Sequence, residues 1–522
     1  MPTATQPHPS YWSTTAPPLR HCPLTHDTRA DVCVVGAGIA GLSTAYFLVS
    51  AGKSVIVLDD GRIADGQTKQ TTAHLSNALD DRYVEIERLH GTSGARLAAQ
   101  SHTTAIEKIG DVVRREQIDC DFERLDGYLF APTGESADML DQEWLAAHRA
   151  GLTSVERLDH LPEPWPARLC LRFPGQGQFH PLRYLAGLAL AITRKGGRIF
   201  TGTHAEKMEG GTSARVVVTN GRQVACSAIV VATNTPVNDL FAIHTKQAPY
   251  LTYAIAATVP CSWVTKALYW DTLDPYHYVR LQRLQPQTDG AGAPSYDADK
   301  EELVIVGGED HKTGQAFDHE ERYERLESWA RERLPKMGSV LFRWSGQVME
   351  PIDGIAFIGR NPADKDNVYI ATGDSGMGMT HGTIAGILLT DLILGRENPW
   401  AKLYDPSRKT LLSAKEFVSE NLNVAKQYAD WITGGEVRTV ADIATDSGAV
   451  LRDGLTKVAV YRDSSGVAHK FSAVCPHLGC IVSWNASEKT WDCPCHGSRF
   501  AYTGEPIVGP ANRGLEHLSD EN

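Results

Sequence analysis

Apolar and polar positions divide the chain into stretches of different period. Residues 31–35 form a short apolar run, as in a strand buried on both faces. After Gly36, Gly38 and Gly41 the spacing becomes helical through Leu42, Ala45, Leu48 and Val49 to Gly52, and a second run, 54–58, ends at Asp59. Two later runs, 228–234 and 367–372, read as returning strands, and the second enters a glycine-rich turn and a helix from Thr383 to Gly395. Between these pieces lie insertions of roughly 75–175 and 245–335. The second holds strand-like runs at 250–258, 277–281 and 302–307, in which Tyr276, Tyr278 and Arg280 alternate onto one face. Residues 399–435 change to a mixed Lys- and Glu-bearing segment with helical spacing at Leu412, Phe417 and Leu422, broken at 433–435; 436–522 is short-stranded and turn-rich. The Pro- and Thr-rich segment 1–30 reads as a tail laid over the surface.

The chain has 522 residues and a formal net charge of −12, which with no basic run argues against a nucleic-acid surface. No apolar run reaches the ~18 residues of a membrane span, and residues 1–30 lack an export signal, so the expected compartment is the cytoplasm. Six cysteines (Cys22, Cys33, Cys120, Cys170, Cys226, Cys261) are scattered without a pairing pattern, as buried thiols would be.

The other four carry chemistry. Cys475 and His477 form one Cys-x-His half, and Cys493 with His496 forms the other. A Rieske [2Fe–2S] centre needs two thiolates on one iron and two neutral imidazoles on the other, which assigns Cys475 and Cys493 to the first and His477 and His496 to the second. A Cys₂His₂ zinc site accepts the same ligands but leaves Cys480 and Cys495 without a role. At the other end, strand, glycine turn, helix, strand and acid stand in the register of a dinucleotide-binding unit. Gly36 allows the tight turn, Gly38 the approach of a pyrophosphate, Gly41 the contact of helix and strand, and Asp59 accepts from ribose hydroxyls. The second glycine-rich helix start, with Gly373, Gly376, Gly378, Met379 and Thr380, points to FAD rather than NAD, because its N–H groups suit the negative charge of a reduced flavin. The segment from Gly66 to His74 should pass the flavin ring.

On the stretches 31–59, 344–359 and 373–382, residues 31 to about 410 resemble the FAD-dependent oxidoreductases of the D-amino-acid oxidase and glycine oxidase superfamily. With the C-terminal motif, the whole chain is similar to a bacterial subgroup in which such a flavoprotein carries a Rieske domain. The resemblance implies an α/β (α+β) Rossmann-like FAD domain at 31–398, built from pieces at about 31–74, 176–244 and 336–398. Its insertions would form an antiparallel sheet over the flavin; a helical connector (399–435) and a small all-β Rieske domain (436–522) would follow. It also implies a Cys480–Cys495 disulfide pinning the cluster loops, a closing loop at Gly509, Pro510 and Ala511, and oxidation of C–N bonds of amines or amino acids. Some relatives attach FAD covalently; here His74 sits later than their histidine and Met349 lies where no cysteine anchor is present, so noncovalent FAD is expected, with His74 a polar contact. Arg280 reads either as a clamp for a substrate carboxylate or as a solvated arginine on a sheet edge, and Tyr253, His277 and His311 stay open between structural and catalytic roles. The expected function is oxidation of a small amine or amino-acid-like substrate at FAD, with electrons passing through the cluster to a one-electron carrier protein or quinone-type acceptor. The alternative has electrons entering at the cluster from a ferredoxin-like donor, with FAD performing a reduction or oxygen activation.

Overall fold

The computed structural model describes residues 8–16, 19–132, 137–166, 168–238, 243–285, 296–362, 364–409, 414–431 and 433–518. Val32–Val35 is buried at all four positions and lies inside a six-stranded sheet. The order is Phe357–Arg360, Val368–Thr372, Ala228–Val231, Val32–Val35, Val55–Leu58, Arg198–Phe200, parallel except for the first pair. Runs of valine and isoleucine suit such a sheet because both faces are covered. The helices Ile39–Ser50 and Gly378–Ile393 pack against each other, and glycine is what lets them meet. A β-carbon at Gly382 would stand 2.7 Å from the Ile39 side chain, and one at Gly386 2.8 Å from Ser43.

The insertions form a sheet, but it is mixed rather than antiparallel: Leu268–Asp271 pairs Glu123–Phe130 in parallel, and Val340–Pro351 and His74–Leu75 join it from outside the insertions. Its order is Val340–Pro351, Gln247–Pro260, Glu301–Lys312, His277–Gln282, Leu268–Asp271, Glu123–Phe130, Cys170–Gln178, His74–Leu75, with Glu156–Leu158 added beside Cys170–Gln178. The three strand-like runs of the second insertion are all strands here, longer at their ends than the hydrophobic runs indicate. The long helix Arg82–Glu116 occupies most of the start of the first insertion.

The C-terminal region is a three-stranded sheet (Ser447–Asp453, Thr456–Arg462, Ala468–Ser472) and a four-stranded one (Ser483–Asn485, Thr490–Asp492, Arg499–Ala501, Pro506–Val508). The connector is helical over Ala414–Gln427; Leu412 lies outside the described residues, and Leu422 is exposed. The connector is held to its neighbours by polar bonds and by Val424 and Trp431, which pack on the core of the C-terminal region. Lys312 Nζ meets Glu420 at 2.7 Å, and Asn423 Nδ2 donates to Gln315. On the other side, Tyr428 Oη and Trp431 Nε1 donate to the carbonyls of Leu478 and Gly479.

The N-terminal segment is not a surface tail. Tyr11–Thr15 is a helical turn whose Tyr11 and Trp12 are fully buried. Trp12 Nε1 donates to Thr71 O at 2.6 Å, and Tyr11 Oη to Arg283 O at 3.1 Å. The aromatic pair plugs the seam between the two large sheets, and the flanking Pro and Thr residues hide it from a reading by composition. Trp12→Ala should therefore cost about 3–5 kcal/mol, read as an earlier urea midpoint of the flavoprotein transition. An unchanged midpoint would show that the segment packs without holding anything.

Candidate active site and iron–sulfur centre

The two large sheets enclose a cavity of about 1250 Å³. One wall is the glycine turn. Gly36 has φ +105°, and a β-carbon there would stand 2.4 Å from Ala232 O, so only glycine fits. Gly38 lines the cavity at the start of the helix Ile39–Ser50, while Gly41 lies behind it, where a β-carbon would strike Gly36 O. Asp59 accepts from Ala37 N (2.6 Å) and Gly61 N (2.8 Å), which fixes it at the strand end. Burial, with Asp60 beside it, pushes its carboxyl up to about 7. Gly66 follows on the same wall.

The opposite wall is the second glycine-rich turn. Gly376, Gly378 and Met379 line the cavity. Gly373 stands a layer back against Pro351, and Thr380 is buried against His102, its Oγ 2.9 Å from the ring Nδ1. Two glycine turns, two helix starts and an acid at a strand end form a cradle that accepts a dinucleotide, as FAD requires.

The nine-stranded sheet supplies the roof through Thr252, Trp270, Tyr276, Tyr278 and Asp310. Tyr278 lies across Gly307 of the paired strand; a β-carbon there would penetrate the ring, so that glycine makes room for it. Tyr276 Oη donates to Asp80 Oδ2 at 2.8 Å. Glu350 and Asp374 join Asp80 and Asp310 on the cavity wall. Ser375 Oγ donates to Glu350 Oε2 (2.9 Å), and Asp374 accepts from Met349 N (3.0 Å).

Several sequence expectations change here. Arg280 is neither a clamp nor a solvated arginine. It is fully buried, and its Nη1 donates to the carbonyls of Thr72 (3.0 Å), Ala73 (3.0 Å) and Phe179 (3.2 Å). The alternation with the tyrosines is real, but the loop at 72–73 folds over the arginine and takes its donors. Tyr253 is fully buried on the other side of the sheet from Thr252, with its Oη between His311 Nε2 (2.9 Å) and His319 Nδ1 (2.7 Å), so it and His311 are structural. His277 pairs with Asp271 and stacks on Trp329, also away from the cavity. His74 does line the cavity, edge-on to Tyr278, and burial lowers its pKa to about 3, so it is neutral.

The cluster loops meet as expected. Cys475 and Cys493 are buried and free, with thiols in hydrogen-bonding contact, and the rings of His477 and His496 lie 5.0 Å apart. Cys480 and Cys495 form a disulfide. Gly509 (φ +103°) packs so closely on Ser498 that a β-carbon would stand 2.5 Å from its Cα, and Ala511 N donates to Ser498 Oγ at 3.1 Å. A contacting pair of thiols and a contacting pair of imidazoles, on two loops whose other cysteines are already bridged, fit a two-iron cluster.

Residues that the sequence reading missed complete the picture. The buried His244 places its ring 4.9 Å from His477 and 6.0 Å from His496. Gln347 Nε2 donates to Gly497 O at 3.0 Å, and the same residue lines the large cavity. Nothing near His244 marks it in sequence. Gln347, Glu350 and Asp374 sit within stretches that stood out, yet isolated polar residues near turns look solvated.

A dinucleotide cradle under a substrate sheet, joined to a two-Cys two-His β domain, defines a flavoprotein oxidoreductase with an iron–sulfur module. The chain belongs to the FAD dependent oxidoreductase family, which matches residues 31–392; residues 433–519 match the Rieske [2Fe-2S] domain. It is an oxidoreductase that uses FAD and a [2Fe–2S] cluster. The Bacillus subtilis (strain 168) protein YhfW, whose name describes a Rieske 2Fe-2S iron-sulfur protein, is 31% identical over 510 residues, 98% of this chain and 97% of that one. The gamma-glutamylputrescine oxidoreductase of Escherichia coli (strain K12) is 27% identical over 386 residues, 71% of this chain and 85% of its own. Among solved structures, glycine oxidase from Geobacillus kaustophilus shares the fold with a TM-score of 0.59 at 17% identity, covering 74% of this chain and 100% of its own.

The placement of Arg280 is open to test. Arg280→Lys leaves buried carbonyls short of donors and should lower stability by about 2–4 kcal/mol in urea unfolding of the holoenzyme. Unchanged stability with selective loss of carboxylate-bearing ligands would restore the clamp.

Proposed function

We propose that this chain oxidises a C–N bond of an amine or amino-acid-like molecule beside FAD and passes the electrons through its Rieske centre to an external one-electron carrier or quinone-type acceptor. The observation that carries this reading is a shared wall. Gly509 and Ala511, which pack on the cluster loop at Ser498, also line the large cavity, and Gln347 bonds the cluster loop from that cavity's edge. When bound, FAD accepts a hydride and the cluster takes single electrons. A direct oxidase has no need of the second centre.

The chain's own residues do the rest. The glycine turns and Asp59 bind the dinucleotide, held noncovalently, with His74 as a neutral polar contact. Cys475 and Cys493 hold one iron, and His477 and His496 the other. The Cys480–Cys495 bridge ties their two loops, and its burial suits persistence in the cytoplasm. Among the described residues no helix is long and apolar enough to cross a membrane. Domain limits near 398 and 436 follow from the same division of labour.

Ligation is tested by Cys475→Ser, His477→Ala, Cys493→Ser and His496→Ala. Each should abolish the reduced-state Rieske EPR signal while flavin content stays full. Purified protein containing zinc and no inorganic sulfide would replace the cluster by a zinc site.

Direction is tested by anaerobic stopped flow. An amine substrate should bleach the flavin first and bring up the reduced-cluster spectrum afterwards, and Cys475→Ser should keep the first phase and lose the second. If a reduced ferredoxin instead reduces cluster and then flavin, and no amine bleaches the flavin, electron entry at the cluster is the function.

A further inference from the structure

The sheet-side end of the cavity has a chemical character that the family assignment does not supply. Asp80, Asp310, Glu350 and Asp374 all line it, and among the described residues no arginine does. Lys69, a lysine on the lining, is engaged by Asp65 at 2.8 Å. Arg280 is spent on backbone carbonyls, and Arg82 points its guanidinium to Thr272 O (3.2 Å) and Met139 Sδ (2.8 Å). An α-carboxylate entering this end would meet four acids and, among the described residues, no arginine on the lining.

The acids are also not saturated by the protein. Asp310 Oδ1 is shielded from solvent and accepts no hydrogen bond from any described residue. Asp80 has Tyr276 Oη on one oxygen and keeps exposed surface, although Tyr276 and Gly376 enclose it; that surface faces the cavity. Carboxylates on a cavity wall left short of donors, although Thr252 also donates towards Asp310, suit a cation with several N–H groups, and an alkylammonium carries three. Trp270, Tyr276 and Tyr278 add aromatic surface to the same wall, which suits methylene chains and ammonium groups alike.

We propose that this end of the cavity receives a di- or polycation: the substrate amine carries a second ammonium group, held by Asp80 and Asp310, and no carboxylate there. The inference rests on the amine-oxidising reading above and names its substrate class. The field around the acids agrees with it. Asp80 is pushed up to about 7 by burial and, in addition, by the charges of Asp81, Asp310 and Asp374, with Tyr276 Oη the donor opposing them. Asp310 is pushed up to about 6 by burial, against Thr252, His277 and Arg322 and with Glu309 adding to it. Burial, together with Asp81, Asp80 and Asp374, raises Glu350 well above the usual carboxylate range. A bound ammonium relieves all three.

The sign follows. Below its raised pKa Asp80 is neutral and a poor partner for a cation; above it the carboxylate is charged, while an alkylammonium stays protonated in this range. Affinity for a diamine should rise as pH passes through about 7 and level off above it.

The test is anaerobic titration of the holoenzyme with putrescine, spermidine, n-butylamine, glycine and proline, following perturbation and bleaching of the flavin spectrum, with calorimetry for affinity. Putrescine or spermidine should bind at least about 10-fold tighter than n-butylamine. Asp310→Asn should weaken that binding about 10- to 100-fold and leave n-butylamine within about 2-fold. Asp80→Asn, a second variant should the first fold poorly, should in addition flatten the pH dependence. Tighter binding of glycine or proline than of diamines, or a flat pH profile in the parent protein, overturns the assignment and leaves amine oxidation standing. Tight diamine binding without bleaching supports the cation site and overturns the oxidation reading. If no amine of either kind perturbs the flavin, both fall.

Discussion

The structure depends on the alternation of side chains along one strand. In Val340–Pro351 the even positions face the flavin side: Trp344 Nε1 donates to Gln70 O at 2.8 Å, Gly346 lies against the Gln70 backbone, and Val348 and Glu350 line the cavity. Ser345 and Gln347, the latter at the cavity's edge, bond Glu488 and Gly497 of the Rieske domain, at 2.9 and 3.0 Å. Side chains in a strand point to opposite faces with period two, so a slip by one residue would exchange the two cofactor environments. The long pairing with Gln247–Pro260, which sets Trp344 opposite Ala254, holds the register.

Charge burial makes the domain contact specific. Glu488 is almost fully buried and shared between Ser345 Oγ and Tyr323 Oη, both on the flavoprotein side. Arg499 and Asp492, 3.0 Å apart, form a buried pair immediately behind the cluster loop. A buried carboxylate deprived of its donors is costly, so any sliding of the domain would strip Glu488. Gly314, at φ +70°, approaches Pro494 N so closely that a β-carbon would stand 2.9 Å away, which leaves no slack beside the loop either. The connector is bonded to both partners as well, through Lys312 and Gln315 on one side and Leu478 and Gly479 on the other.

Much of this was legible in the sequence because some interactions constrain neighbours in the chain. The turn at Gly36 tolerates only glycine, and the cluster ligands fall a few residues apart in each loop, so spacing alone carries them. The buried valine and isoleucine strands were legible for the same reason. What escaped depends on partners far away. Tyr11 and Trp12 are core residues only because Arg283 O and Thr71 O complete them. Arg280 alternates with two cavity tyrosines and looks like a ligand-binding group until the 72–73 loop, some two hundred residues earlier, consumes it. The four sheet-side acids come from four separate segments, and no local pattern distinguishes any of them from a solvated acid.

The helix starts and the sheet-side acids line different walls of the cavity, with Asp59, Asp60 and Asp65 beside the first glycine turn. The helices Ile39–Ser50 and Gly378–Ile393 start at its cofactor end, where unpaired N–H groups and helix dipoles favour negative charge, as phosphates and a reduced ring bring. The sheet-side end carries Asp80, Asp310 and Glu350 and favours positive charge. Asp374, grouped with Asp80 and Glu350, is pushed up to about 6 by burial and accepts from Met349 N. An amine must be neutral at the carbon–nitrogen bond that is oxidised, and a carboxylate whose pKa stands near neutrality is suited to take its proton. On the proposed reading, the acids that escaped the sequence reading would hold a distant ammonium and offer a base to the nearer one.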